Sequence, residues 1–210
     1  MKIIRKKQGI HQKVPPLLIV LSGPSGAGKD ATITKMKELG YCFHYVITVT
    51  TRPKRPDEID RVHYCFISDQ QFQKMMQAKR LLEWAKVYNH YYGIPKVEIE
   101  KALNNRQDVI VKVDVQGAST LKRIVPDAVF IFLMPQSMEN LTERLKQRNN
   151  HRSLADLKLR LDKAKEEMER LSLFDYCIVN PNNNLGLTAS KIHAIITAEK
   201  CRVNPRIIKL

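Results

Sequence analysis

Cysteine is scarce in this sequence, and long apolar runs are absent. Four cysteines are spread through 210 residues without a Cys-x-x-Cys pair or a cysteine–histidine cluster: Cys42, Cys65, Cys177 and Cys201. This spacing argues against a disulfide framework and against a metal site, so we interpret them as reduced thiols of a cytoplasmic protein. No apolar run approaches the roughly 18 residues of a membrane span. Residues 17–21 are also too few for the apolar core of a secretory signal.

Acidic residues are few relative to basic ones. The chain has 36 Lys and Arg against 21 Asp and Glu, a net charge of +15. Such an excess favours anionic partners such as nucleotides, RNA or an acidic membrane surface. Part of it lies in residues 1–16, which hold five Lys or Arg and no acid. We interpret this segment as a solvated basic arm, disordered or loosely docked, and do not expect nucleic-acid binding.

Short apolar runs alternate with helix-like stretches along the rest of the chain. Residues 17–21 are typical of a strand buried on both faces, and the helix-like stretch 31–39 follows and ends at Gly40. Further apolar runs occupy 109–111, 128–133 and 176–179, and helix-like stretches occupy 97–103, 138–148, 154–171 and 188–201. This alternation predicts an α/β fold with a central parallel β-sheet flanked by helices.

The strongest motif is GPSGAGK at residues 23–29, directly between the first strand and helix. It matches seven positions of the phosphate loop GxxxxGK[ST], in which glycines let backbone N–H groups converge on phosphate and the lysine reaches the β- and γ-phosphates. The eighth position is Asp30 instead of Ser or Thr. The predicted ATP-binding residues are Gly23, Pro24, Ser25, Gly26, Ala27, Gly28, Lys29, Asp30 and Ala31.

A second group of motifs extends through the chain. The run TVTTRPKRPDE occupies 48–58, and HYCF follows at 63–66. Here the sequence resembles the guanylate kinase family, whose acceptor lobe carries a TTRxxRxxE run followed by a Tyr-x-Phe strand. The resemblance spans about residues 17–200 and continues at 82–85 (LEWA), 89–93 (NHYYG), 114–117 (DVQG) and 178–180 (IVN).

This resemblance implies a P-loop kinase of purine nucleotide metabolism that transfers the γ-phosphoryl group of ATP to GMP, with Mg²⁺ accompanying ATP. It divides the domain 17–203 into a core (17–40, 95–137 and 172–203), a small mixed α/β acceptor-binding lobe (41–94) and a helical lid (138–171), with a tail at 204–210. ATP and GMP are the implied partners, and no membrane is involved.

The same resemblance assigns the acceptor site. The implied GMP-binding residues are Thr48, Arg52, Arg55, Glu58, Tyr64, Glu83, Tyr92 and Asp114. The guanidinium forks of Arg52 and Arg55 suit a dianionic phosphate. The carboxylate of Glu83 can accept hydrogen bonds from guanine N1–H and the exocyclic amine, whereas adenine presents an acceptor at N1.

The implied catalytic residues are all cations: Lys29, Arg144, Arg148 and Arg160. Arginines of the lid stabilise the charge of the transferring phosphoryl group as an arginine finger does. The acceptor is a phosphate oxygen that is already anionic, so no general base is needed.

Three positions depart from the family pattern. Asp30 replaces the Ser or Thr metal ligand, Lys112 replaces an Asp at the end of a strand, and Ile94 replaces a hydroxyl residue that helps read guanine. The first two together indicate a direct ion pair. Two alternatives stay open: Asp30 leaves Lys112 to ligate Mg²⁺ when MgATP binds, or the two changes are unrelated.

Three functions therefore compete. The first is an active guanylate kinase with an altered metal site. The second is a kinase of the same fold for another phosphorylated acceptor, such as ribose bisphosphate. The third is a catalytically weak or dead domain that binds a phosphorylated protein. The retained Lys29, Glu83 and lid arginines favour the first, because a binding module does not need a lid over ATP.

Overall fold

A parallel sheet forms the centre of the molecule. The computed structural model describes residues 14–148, 154–182 and 184–210, without the side chain of Arg148. Within these ranges the central sheet has five strands in the order β2 (His44–Tyr45), β7 (Val109–Lys112), β1 (Leu18–Ser22), β8 (Val129–Pro135) and β9 (Tyr176–Asn180). All four neighbouring pairs are parallel. The predicted central parallel sheet is confirmed. Residues 1–13 of the predicted basic arm lie outside the described residues.

The sheet is apolar on both faces, which explains the short continuous apolar runs. Alternate residues of β1 point to opposite sides, so Leu18 and Val20 join one core cluster while Ile19 and Leu21 join the other. All four are essentially inaccessible to solvent. Burial of β1 on both sides fixes the strand whose end leads into the phosphate loop.

Helices cover the two faces of this sheet. They are α1 (Lys29–Glu38), α3 (Lys96–Asn104), α4 (Val115–Ile124) and α7 (Leu185–Lys200). The α4 helix was not predicted from the sequence pattern. It begins at Asp114, whose Oδ1 accepts a hydrogen bond from the backbone N–H of Gly117 at 2.9 Å. An N-cap of this kind satisfies one of the helix's unpaired N–H groups.

A second sheet forms the small mixed lobe. In the described structure it has the strand order β4 (Cys65–Phe66), β3 (Val49–Thr50), β6 (His90–Pro95) and β5 (Leu81–Val87). The helix α2 (Asp69–Gln77), also not predicted, packs Phe72 against Tyr91 and starts with a capping box between Ser68 and Gln71. The predicted lobe segment 41–94 also contains β2, but β2 pairs with β7 of the central sheet. The mixed sheet therefore begins at Val49.

Two helices form the lid: α5 (Met138–Arg148) and α6 (Leu154–Glu169). Their shared core consists of Leu141, Leu145 and Ala164. Leu141 and Leu145 also lie against Gly26 of the phosphate loop, where an added Cβ would come within 2.9 Å of Leu141. The base of the lid is therefore packed onto the loop. In the part of the chain that the structure describes, no helix is long and apolar enough to cross a membrane.

Candidate active site

A cavity of about 860 Å³ opens between the central sheet, the mixed lobe and the lid. Sixteen of the predicted site residues line it: Gly23, Ser25, Gly26, Gly28, Lys29, Asp30, Ala31, Thr48, Arg52, Arg55, Tyr64, Glu83, Tyr92, Asp114, Arg144 and Arg160. Pro24, Ala27 and Glu58 lie behind this surface, and the side chain of Arg148 is outside the described structure. The fold thus brings together residues that are far apart in the sequence.

The loop between β1 and α1 has the backbone of a phosphate cradle. Gly23, Gly26 and Gly28 have φ angles of 137°, 89° and 93°, which favour glycine. A Cβ at Gly23 would lie 2.2 Å from the carbonyl oxygen of Leu133 on β8, so the loop is also too tightly packed for a side chain there. Helix α1 starts at the end of the loop, so its N-terminal N–H groups point toward any bound phosphate.

Lys29 bends over this loop. Its ammonium group donates to the carbonyl oxygens of Gly23 and, at 3.1 Å, of Pro24. Burial lowers the pKa of Lys29, while the nearby carboxylates of Glu167 and Asp30 act in the opposite direction. The lysine is therefore held beside the position where phosphate oxygens would sit.

Asn180, at the end of β9, supports the loop and was not among the predicted site residues. Its Nδ2 donates to the carbonyl oxygen of Ala27 at 2.7 Å, and its Oδ1 accepts from Thr188 at 2.8 Å. Arg144 reaches the same carbonyl at 3.4 Å and donates to Asn182 Oδ1 at 2.6 Å. The sequence signal for this support was the IVN motif at 178–180, which pattern alone did not connect to the loop.

The mixed lobe holds two arginines on one buried carboxylate. Arg52 Nη2 lies 2.6 Å from Glu58 Oε1, and the backbone N–H of Arg55 donates to Glu58 Oε2 at 2.9 Å. The guanidinium of Arg52 also stacks 5.4 Å from the ring centre of Tyr64. Burial raises the pKa of Glu58, but the hydrogen bonds and charges of the two arginines outweigh it and hold this pKa below its usual value. Glu58, which does not line the cavity, therefore fixes the orientation of the two arginines that do.

Glu83 on β5 presents a buried carboxylate to the cavity. Its side chain is 5% exposed, and Oε1 has no hydrogen-bond partner among the described residues. Burial, with a smaller contribution from the charge of Asp114, raises the pKa of Glu83 to about 8. Gly117 lies directly against this carboxylate, since a Cβ there would come within 2.9 Å of Oε1. A buried acceptor of this kind is suited to a ligand that brings N–H donors.

Ile94 and Thr48 border the same pocket. Ile94 is fully buried and lies directly opposite Glu83 in the β5–β6 pair. Thr48 is 3% exposed, and its hydroxyl is 3.5 Å from the carbonyl oxygen of Lys112. The wall that faces Glu83 is therefore apolar at Ile94 and polar at Thr48.

The predicted ion pair between Asp30 and Lys112 is confirmed. The ammonium group of Lys112 is in direct contact with Asp30 Oδ1. Lys112 is 5% exposed at its side chain, whereas Asp30 is 41% exposed. The ammonium also lies 4.1 Å from the ring centre of Tyr64 in the mixed lobe.

The lid contacts the mixed lobe at the tip of the β5–β6 hairpin. The guanidinium of Arg160 lies 5.0 Å from the ring centre of Tyr88, and Lys163 Nζ lies 4.7 Å from it. Tyr88 and Asn89 have positive φ angles of 47° and 66°, as a two-residue hairpin turn requires. Glu167, one turn beyond Lys163, is buried and close enough to Lys29 to influence its pKa. Sequence reasoning included neither Tyr88 nor Glu167.

A phosphate loop at the end of a parallel strand, a facing lobe with two arginines and a lid with basic residues define a P-loop kinase. The guanylate kinase family model matches residues 16–199. The chain belongs to the guanylate kinase family.

Named relatives agree with this assignment. The chain is 42% identical over 195 residues to "Guanylate kinase" of Carboxydothermus hydrogenoformans, covering 91% of this chain and 94% of that protein. It is 41% identical over 196 residues to "Guanylate kinase 2, chloroplastic/mitochondrial" of Oryza sativa, covering 93% and 68%. The crystal structure of guanylate kinase from Anaplasma phagocytophilum is 26% identical with a TM-score of 0.72, covering 91% of this chain and 89% of that one.

Proposed function

We propose that this protein is an ATP:GMP phosphotransferase, which converts ATP and GMP into ADP and GDP. The observation that carries the proposal is the pairing of two features in one cavity. The buried carboxylate of Glu83 has an unpaired oxygen in the described structure, and the arginines Arg52 and Arg55 are held side by side by Glu58. A guanine base supplies N–H donors for the first, and a 5′-phosphate supplies the anion for the second.

Catalysis in this arrangement consists of positioning and charge neutralisation. The phosphate loop and Lys29 bind the donor phosphates, and the arginines hold the acceptor phosphate in line with them. Arg144, Arg148 and Arg160 of the lid supply further positive charge as the phosphoryl group moves. The attacking oxygen belongs to a phosphate and is anionic at neutral pH, so no side chain has to remove a proton.

Mg²⁺ as the companion of ATP belongs to the same proposal. In such sites Mg²⁺ takes one or two protein oxygens and several phosphate or water oxygens. The described residues contain no group of three His, Cys, Asp or Glu that could hold a metal. Asp30, the predicted metal ligand, is already in contact with Lys112. An oxygen bound to ammonium is a poor fit for a direct metal ligand, so the geometry favours the ion pair.

An assay of ADP release tests the function. We expect release to require GMP and to be near background with AMP or no acceptor. ADP release with ribose bisphosphate but not GMP would favour the other kinase, and GMP binding without ADP release would favour a binding domain. The cytoplasmic location, like a role in purine nucleotide metabolism, stays a prediction.

GMP binding is expected to release a proton. With the pKa of Glu83 raised to about 8, the unliganded side chain is mostly protonated at pH 7, and the two guanine donors require the carboxylate. About 0.9 proton should leave per GMP bound at pH 7, and affinity should rise about 20-fold from pH 6.5 to 8.5. Titration calorimetry in buffers of different ionisation enthalpy measures this. Heats that do not depend on the buffer would contradict the role of Glu83.

Replacing Ile94 with serine is expected to lower the KM for GMP several-fold. A hydroxyl opposite Glu83 supplies the hydrogen bond that Ile94 lacks, worth about 1 kcal/mol. Because Ile94 is fully buried, the variant should also lose about 2–4 kcal/mol of stability. The matched control is Ile94→Ala, which removes the same core packing without adding a hydroxyl. Equal KM values in the serine and alanine variants would show that guanine O6 is already satisfied.

A further inference from the structure

Lys112 is a buried cation at the junction of the two substrate sites. It is the last residue of β7 and pairs in register with Leu21, one residue before the end of β1. Its ammonium contacts Asp30, which lies in the first turn of α1 and directly follows the phosphate loop in the sequence. It also lies 4.1 Å from the ring centre of Tyr64, which belongs to the acceptor side of the cavity. One side chain thus reaches both halves of the site.

The ammonium group keeps its charge in this environment. Burial alone lowers the pKa of Lys112, but the influence of Tyr64 and of the Asp30 carboxylate outweighs it, so the pKa lies above its ordinary value. An ammonium group has three donors, and Asp30 Oδ1 accepts from it. Lys112 lines the cavity, so phosphate oxygens can approach it there.

Two further cations, Lys29 and Arg52, lie near Lys112. Lys112 and Lys29 are close enough for their charges to affect one another unfavourably. Arg52 and Lys112 both lie over the ring of Tyr64, at 5.4 Å and 4.1 Å. Neighbouring like charges destabilise a fold by themselves, whereas a polyphosphate between them turns the repulsion into attraction. If the Asp30–Lys112 ion pair served only to stabilise the fold, it would not need Lys29 and Arg52 close to it.

We propose that Lys112 is a catalytic residue whose ammonium contacts the phosphates at the point of transfer, and that Asp30 is the positioning residue that holds it there. This rests on the proposed kinase function. In the step, an oxygen of the GMP phosphate forms a bond to the γ-phosphorus. The bond from that phosphorus to the β–γ bridging oxygen breaks, and its electron pair stays on ADP. Lys112 neutralises charge and neither gains nor loses a proton.

The experiment compares the full-length wild type with K112M, D30N and the double variant, measuring kcat and KM for both substrates and melting temperature. K112M should lower kcat roughly 100-fold, as loss of one charge-stabilising donor does in other enzymes, with little change in the KM for ATP. K101M, an exposed lysine on α3, is the matched control and should behave like the wild type.

D30N separates positioning from metal binding. If Asp30 acts through Lys112, D30N should lower kcat about 5- to 20-fold, and should cause no further loss when K112M is already present. A further loss in the double variant, with a higher Mg²⁺ requirement, would overturn the positioning role and make Asp30 a metal ligand.

The remaining outcomes are also decisive. A folded K112M with kcat within threefold of wild type overturns the catalytic role of Lys112 while leaving the kinase function intact. If K112M does not fold, D30N carries the test. An unchanged kcat overturns the proposal, as does a loss that comes with a higher Mg²⁺ requirement; a 5- to 20-fold loss with an unchanged melting temperature and an unchanged Mg²⁺ requirement supports it. A wild type without GMP-dependent ADP release overturns the proposed function itself.

Discussion

Replacing Arg52 with alanine is expected to lower kcat/KM for GMP by about 100- to 1000-fold, because one change removes two things. It removes the guanidinium fork for the acceptor phosphate. It also takes away the closer of the two arginines that neutralise Glu58, whose side chain is only 7% exposed, and so leaves a less compensated negative charge beside an incoming phosphate. The KM for ATP should change less than about twofold, since the phosphate loop is a separate segment.

Steady-state kinetics with each substrate varied in turn measures this change. Arg52→Lys keeps the charge but not the fork, so it should recover only part of the loss. Arg61→Ala is the matched control, because Arg61 belongs to the same lobe and its side chain is 84% exposed. An Arg52→Ala variant with the KM and kcat of the wild type would exclude Arg52 from the acceptor site.

Replacing Glu83 with glutamine is expected to weaken GMP binding by about 1–3 kcal/mol, or roughly 5- to 150-fold. An amide offers one acceptor and one donor group where guanine presents two donors, so one contact becomes repulsive. IMP lacks the exocyclic amine and should lose less on the same substitution. Titration calorimetry with GMP and IMP measures both values, and equal GMP affinity in variant and wild type would reject the assignment.

The stability of this glutamine variant provides an internal control. The folded-state pKa of Glu83, about 8, lies above its usual value of 4.5. The wild type therefore loses stability relative to the variant as pH rises from about 4.5 to 8. At pH 8.5 the glutamine variant should melt at a higher temperature than the wild type, while binding GMP less tightly. Loss of binding then cannot be attributed to unfolding.

Local patterns predicted those parts of the fold that local physics determines. A buried strand, a glycine-rich turn and a helix start follow one another within residues 17–39. The sequence therefore predicted the phosphate loop together with the strand before it and the helix after it. The ion pair of Asp30 and Lys112 was predicted because both positions carry charged residues that differ from the family pattern. The structure contains this ion pair.

Features made by distant segments were not predictable in the same way. The strand β2 is only two residues long, and its place in the central sheet depends on pairing with β7, more than 60 residues later. The support of the loop by Asn180 depends on a contact between residues 153 positions apart. No periodicity in the sequence encodes such contacts. The helix α2 is different, because its Ser68–Gln71 capping box was visible in the sequence.

The contact between the lid and the Tyr88 hairpin has a consequence for the timing of turnover. Two cation–π contacts, from Arg160 and Lys163, join these parts at the hairpin tip. At about 0.5–2 kcal/mol each, they favour the joined arrangement by only a few kcal/mol, so a parted arrangement is populated at about 0.1–10%. Opening this contact for nucleotide exchange therefore adds only a few kcal/mol to each reaction cycle.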